Sequence, residues 1–240
     1  MILFDTLETN EKMQRFKKAQ KFRKKRLKKI CKGRVCGSLD KTPYCILHWL
    51  PMSKEALFKP DDLIPTEFSK FIKIQGRTAE TPNMDGVRFY SRASEENGRY
   101  FIWNAQIFHS GALEIALNLL FNEDDSGEVK KIAQGALVKK LRDVMDGFKE
   151  CMSSFKIDAS VIIGISLLNA SNCEFHNNHY IAHLGECPRP DREQIILPAV
   201  LMENLDDMEK IEQQIFDMLW KSFGLLECEY YENGKRKSIK

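Results

Sequence analysis

No apolar run in this chain approaches the roughly 20 residues needed to span a bilayer, which argues against a helical membrane protein. The N-terminus, MILFDTLETNEKM, lacks the charged, apolar, small-residue order of a secretory signal, so a cytoplasmic location is expected. The cysteines are odd in number and scattered. The seven cysteines stand at 31, 36, 45, 151, 173, 187 and 228, and no CxxC occurs. They read as free, mostly buried thiols rather than a disulfide framework. There is no GxxxxGK[ST] loop, no GxSxG elbow and no HExxH helix. A Walker-type nucleotide site, a hydrolase elbow and a zincin helix therefore have no support. Periodic repeats and low-complexity linkers are absent too. The 240 residues are 43% hydrophobic and 30% charged, ordinary values for a globular chain long enough for a sizeable core.

What is present is an uneven charge. Residues 1–34 carry thirteen Lys and Arg against three acids, a charge of +10, and the remainder carries −7. A cationic segment on a mildly acidic body points to a polyanion or an acidic partner surface. Met13, Phe16, Ala19, Leu27, Ile30 and Cys31 fall within about 120° on a helical wheel, and basic residues fill most of the rest. Residues 11–31 thus read as an amphipathic helix with a narrow apolar seam, ended by Gly33 and Gly37. Lys17, Lys18, Lys21, Arg23, Lys24, Lys25, Arg26, Lys28 and Lys29 are its candidate nucleic-acid contacts, each able to release a counterion at a phosphate. Base-reading side chains on it are few: Gln14, Gln20 and Phe22.

Further along, Tyr44–Leu50 reads as a strand stopped by Pro51, and 51–66, with three prolines, as loop. Phe68–Ile74 is a short strand or helical turn. Val87–Ala93 and Arg99–Phe108 alternate as a hairpin around Glu95-Glu96-Asn97-Gly98, because Asn-Gly accepts the positive φ of a tight turn. Ser110-Gly111 turns into Ala112–Leu120, completing a three-stranded meander. A helix is expected from about Gly127 to Ser154, capped by Asp125 or Ser126. Ser160–Leu168 is apolar on both faces, as in a buried strand. Ile195–Met202 is a strand whose Pro198 implies an edge or a bulge. Asp206–Phe223 is a helix with Asp206 and Glu209 as a capping pair and Gly224 as its stop. The pattern spells an α+β fold, mainly antiparallel, with meander hairpins covered by two long amphipathic helices and preceded by the basic helix. The expected organisation is a basic amphipathic N-terminal helix over 1–34 and a single α+β domain over 35–240.

A second cluster is Cys173, His176, His179, His183 and Cys187. Its ligand types suit zinc, but its spacing is not that of a zinc finger, and an exposed polar loop explains it more simply. His109 beside Ser110 reads as a turn, since neighbouring strand residues face opposite ways. Trp49, Trp103 and Trp220 sit on apolar patterns and read as core.

Several stretches in order form a larger pattern: Phe22-Arg23-Lys24-Lys25-Arg26-Leu27-Lys28-Lys29-Ile30, then Leu47-His48-Trp49-Leu50-Pro51, then GRYFIWNAQIFHSGALEIA. After them come Asp191-Arg192 with Leu197-Pro198, Val200 and Glu203, and Phe216-Asp217 with Trp220 and Gly224. This order resembles the region following the DNA-binding domain in bacterial schlafen AlbA-like proteins, a family of DNA-binding transcriptional regulators and ATP-binding proteins. The resemblance spans nearly the whole chain. It implies a C-terminal region without its AlbA-like domain, which would precede the basic helix, and it carries over no catalytic residue. The expected function is a non-enzymatic regulatory, sensing or assembly domain of a DNA-binding regulator. Its basic helix would contact nucleic acid or dock an AlbA-like domain or another protein, with a homo-oligomer as a further expectation and neither a cofactor nor a membrane involved. Two alternatives stay open: a metal-dependent hydrolase or nuclease using the Cys173–Cys187 cluster with zinc, and a protein-interaction scaffold for an acidic partner.

Overall fold

The computed structural model describes residues 2–33, 42–52, 58, 79–92, 101–119, 130–157, 160–171, 173–176 and 189–239. Helix α1 spans Ile2–Cys31. Strands β1 (Tyr44–Pro51), β2 (Ala79–Asn83), β3 (Gly86–Arg92), β4 (Phe101–Phe108), β5 (Leu113–Asn118) and β6 (Lys130–Ala133) follow. Next come α2 (Gln134–Ser154), β7 (Val161–Leu168), β8 (Cys173–His176), β9 (Ile195–Ile196) and β10 (Val200–Met202). After a 3-10 turn at Leu205–Asp207, α3 (Met208–Lys221) leads to β11 (Tyr231–Glu232) and β12 (Lys235–Arg236).

The main sheet runs β10-β7-β1-β5-β4-β3-β2, with β9 also beside β7, and its pairings are antiparallel. The protein is therefore of the α+β class. Strands β2 to β5 form the meander, and β1 inserts between β5 and β7. Because successive strand residues face opposite ways, β1 serves two cores. Cys45, Leu47 and Trp49 join the large core with Leu141, Met145 and Phe148 of α2 and Ile215, Leu219 and Trp220 of α3. Tyr44 and Ile46 face the other side, where they pack with Leu27 and Ile30 of α1. Leu50 does likewise, in a patch bordered by Phe16, Ala19 and Phe22. Helices α2 and α3 thus cover one face of the sheet and α1 lies on the opposite face, in three layers.

Several local expectations shift. The strands expected around Asn97-Gly98 pair as β3 and β4, while the turn itself lies outside the described residues. So do the stretch Phe68–Ile74 and the proposed caps Asp125 and Ser126. Strand β2 was not expected. Its sequence AETPN has no alternation, yet it hydrogen-bonds to β3 as the sheet edge, the place where Pro82 costs no ladder bond. Gly86 closes the β2–β3 hairpin at φ 145, where a β-carbon would sit 2.0 Å from the Ile107 carbonyl oxygen. Helix α2 begins at Gln134, not Gly127, because Lys130–Ala133 pairs in parallel with Cys173–His176 instead. The segment 195–202 splits into β9 and β10 around Leu197-Pro198-Ala199, the bulge that Pro198 implied. Asn204, not Asp206, supplies the capping oxygen before α3, accepting from the Asp206 amide. Glu209 accepts instead from the Arg236 amide.

The chain's end is clasped to this body. Asn233 (φ 51) and Gly234 (φ 78) turn β11 into β12. Arg236 then reaches Asp146 of α2 and the buried Glu212 of α3, and Arg142 donates to the Tyr231 hydroxyl and the Tyr230 carbonyl.

Candidate nucleic-acid interface

At about 100° per residue, Lys17, Lys18, Lys21, Lys24, Lys25, Lys28 and Lys29 occupy roughly 140° of the α1 circumference. All seven are exposed, and none forms an ion pair with a described residue. Lys32, in the turn after the helix, is exposed as well. The opposite arc is docked on β7, β1 and β5. Its apolar members are Phe16, Ala19, Phe22, Leu27 and Ile30, and Phe22 meets Phe108 edge-on at 5.3 Å between ring centroids. Burying Leu27 and Ile30 contributes about 1.5–3 kcal/mol each.

Two of the nine expected nucleic-acid contacts are not on the outer face. Arg23 and Arg26 are buried, at 2% and 6% exposure, so neither guanidinium is presented to an outside partner. Arg23 donates to the Leu197 carbonyl (2.8 Å), the Ile165 carbonyl (2.6 Å) and the Ser166 hydroxyl (2.8 Å). Burial lowers its pKa to about 10, which leaves it charged at neutral pH. The Leu197 carbonyl lies in the bulge between β9 and β10. The arginine thus satisfies a backbone oxygen in a segment that forms no regular ladder.

Arg26 makes a two-pronged contact with Glu114: Nε to Oε2 at 2.8 Å and Nη2 to Oε1 at 2.7 Å. His48 closes the cluster, its Nε2 lying 3.1 Å from Glu114 Oε2. The sheet register sets Gly164, His48 and Glu114 side by side on β7, β1 and β5. Burial would push the Glu114 carboxyl up, but hydrogen bonds from Arg26 and His48, together with the Arg26 charge, outweigh it and hold the group at about 2. Burial pushes His48 below its ordinary value, and Arg23 and Arg26 add to that against the upward pull of Glu114. His48 is then neutral, with Nε2–H donating to Glu114. Its Nδ1 has no hydrogen-bond partner among the described residues.

A charged pair this deep adds little net stability over an apolar one, because desolvation offsets most of the Coulombic gain. What it confers is position. Rotating or sliding α1 by one residue would strand Glu114 and the Leu197 carbonyl inside the protein. The cluster therefore fixes the rotational phase of the helix, and with it the outward direction of the lysine arc. It also explains why arginine, with its planar fork, stands at 23 and 26 while Lys17–Lys32 is otherwise lysine for every cation. That contrast is the sequence signal for the buried pair. Single polar residues inside apolar strand runs are the signal for their partners: His48 in YCILHWL, Glu114 in ALEIALN, and Gly164 and Ser166 in SVIIGISLL.

The Cys/His cluster is only partly described. Cys173 and His176 lie on β8, while His179, His183 and Cys187 fall outside the described residues. Cys173 faces the core with its Sγ 3.6 Å from the Asn169 carbonyl oxygen. His176, three positions on, projects from the other side of the strand, 2.9 Å from Glu174, which Arg189 also engages. One ion would have to reach both faces of β8 to be held by this pair. Among the described residues no group of three His, Cys, Asp or Glu is placed to hold a metal ion. No helix among them is long and apolar enough to cross a membrane.

Fold and surface together define an α+β protein carrying a cationic helix locked onto one face of its sheet. No family, curated protein or solved structure matches the chain.

Proposed function

We propose that the chain is a non-enzymatic nucleic-acid-docking module, the regulatory or assembly part of a DNA-binding regulator, with α1 as its contact surface. The observation that carries this reading is the sorting of cations on α1. Arg23 and Arg26 are consumed inside the protein, whereas the seven exposed lysines from Lys17 to Lys29 are left without carboxylate partners among the described residues; Arg15 and Lys12, nearer the start of the helix, pair with Glu11 and Glu203. A structural helix that needed only solubility would be expected to intersperse acids on that face, for i,i+4 pairing and to relieve like-charge repulsion. Beyond Glu11, α1 has no acid at all. Its concentrated charge favours binding to phosphates, where each lysine releases a condensed counterion. The ordered motifs that resemble schlafen AlbA-like proteins support the same assignment.

The test is fluorescence anisotropy of a labelled duplex of about 20 base pairs, titrated with the full chain at 50 mM salt. Binding is expected, weakened at least tenfold in a Lys21→Gln, Lys25→Gln, Lys28→Gln variant. Failure to bind overturns the reading. Equal competition by poly-glutamate would overturn it in favour of an acidic protein partner.

A further inference from the structure

We infer that the lysine face of α1 engages nucleic acid through its phosphate backbone alone and does not read base sequence. This rests on the nucleic-acid reading above and narrows it. Base edges are read by side chains with paired donors and acceptors or a rigid fork, chiefly Arg on guanine and Asn or Gln on adenine. Unstacked bases are read by aromatic rings and arginine planes. The fold withdraws nearly all of these from the outer side of α1. Arg23 and Arg26 are buried and hydrogen-bonded to groups inside the protein. Gln20 and Phe22 are half-buried on the docked side, Phe22 with its ring against Phe108. Arg15 is held by Glu11 and the Met52 carbonyl. Gln14 is exposed, but it stands at one end of the row, a turn before Lys17 and Lys18.

From Lys17 to Lys29, then, the exposed face offers only ammonium groups on flexible stems. Such groups follow charge and do not impose the planar geometry that distinguishes one base pair from another. Lys17 to Lys28 spans roughly 16 Å of helix axis, over which duplex DNA carries about ten phosphate charges. The helix back is occupied by the sheet, so α1 meets its partner from one side, as a strip laid along a charged surface.

The experiment uses the full chain and three labelled probes: an A·T-rich duplex, a G·C-rich duplex of equal length and a mixed-sequence single strand. Affinity is measured from 50 to 200 mM salt. The two duplexes are expected to bind within about threefold of each other. If four to seven lysines reach phosphates, the slope of log affinity against log salt should lie between about −3.6 and −6.3. Each Lys→Gln change among Lys21, Lys25 and Lys28 should reduce that slope by about 0.9, and Gln14→Ala should leave affinity unchanged. A preference above tenfold between duplexes that persists at 200 mM, or its loss in Gln14→Ala, would overturn the backbone-only inference while leaving the nucleic-acid role standing. Absence of binding to every probe at 50 mM would instead overturn the role itself.

Discussion

Arg23 lies flat against Gly164: a β-carbon built on that glycine would sit 2.7 Å from the guanidinium carbon. The contact joins the basic helix to a strand 141 positions later in the chain, beside His48 in the sheet register. Glycine in the middle of a buried strand weakens it, and here the missing side chain makes room for the arginine. Gly164→Ala should expel the guanidinium from its three acceptors and cost about 2–4 kcal/mol. In an Arg23→Met background the same alanine should cost under about 1 kcal/mol, because nothing remains to be displaced. Urea denaturation of the four proteins measures the coupling, expected at about 1–3 kcal/mol. Strict additivity would show that the two residues do not meet.

The Arg26–Glu114 pair invites a different comparison. Glu114→Ala leaves a guanidinium charge inside the protein without its carboxylate, a change that costs about 3–5 kcal/mol in buried pairs. Lys25→Gln, one residue away on the outer face, should stay within about 0.5 kcal/mol of the parent. Chemical denaturation of both variants checks this. A loss below 1 kcal/mol for Glu114→Ala would mean that Arg26 escapes to solvent and that the cluster does not hold the helix.

Acid should loosen the same cluster in two stages. Burial holds the folded pKa of His48 below its ordinary value of 6.5. Below pH 6.5 the unfolded chain therefore takes up a proton that the folded one refuses, and stability falls. Glu114 titrates at about 2 when folded, against an ordinary value of 4.5. Its contribution is complete above pH 4.5 and is lost as pH drops toward 2. Both shifts have the same sign, so urea midpoints should fall as pH drops below 6.5 and fall again below pH 4.5. A His48→Gln variant should show a flatter profile between pH 6.5 and 5. An identical profile in that variant would assign the first stage to other groups.

Much of the architecture was legible along the chain because it depends on near neighbours. The alternation in VRFYSRA and RYFIWNAQIF is a property of each segment, and both became strands of the meander. The apolar run SVIIGISLL reads as a buried strand for the same reason, and every residue of β7 is buried. Other elements depended on distant partners. Lys130–Ala133 continues the helical spacing of α2, yet it is a strand because Cys173–His176 offers it a parallel ladder. Strand β2 carries no apolar signal and exists because β3 supplies its hydrogen bonds. The candidate site divides the same way. Its lysines were evident from composition. The inward turn of Arg23 and Arg26 was only half-written in the sequence. At about 100° per residue Arg23 falls within the arc of Phe16, Leu27 and Ile30, and Arg26 about 20° beyond its Ala19 edge. The acceptors that let both leave water cannot be seen from the helix.

The amino-acid sequence alone set the charge imbalance, the helical periodicity of the N-terminal segment and the apolar stripe that lets it dock. These follow from residue spacing within a few turns. Whether the arginines on the docked side could stay inside the protein as charged groups was decided only by the tertiary structure. A guanidinium can leave water when acceptors enclose it, and those acceptors come from far along the chain: Glu114 lies 88 residues from Arg26, and Leu197 lies 174 from Arg23. The assembled sheet brings them together beneath the helix, and the lysines, with no such partners there, remain outside.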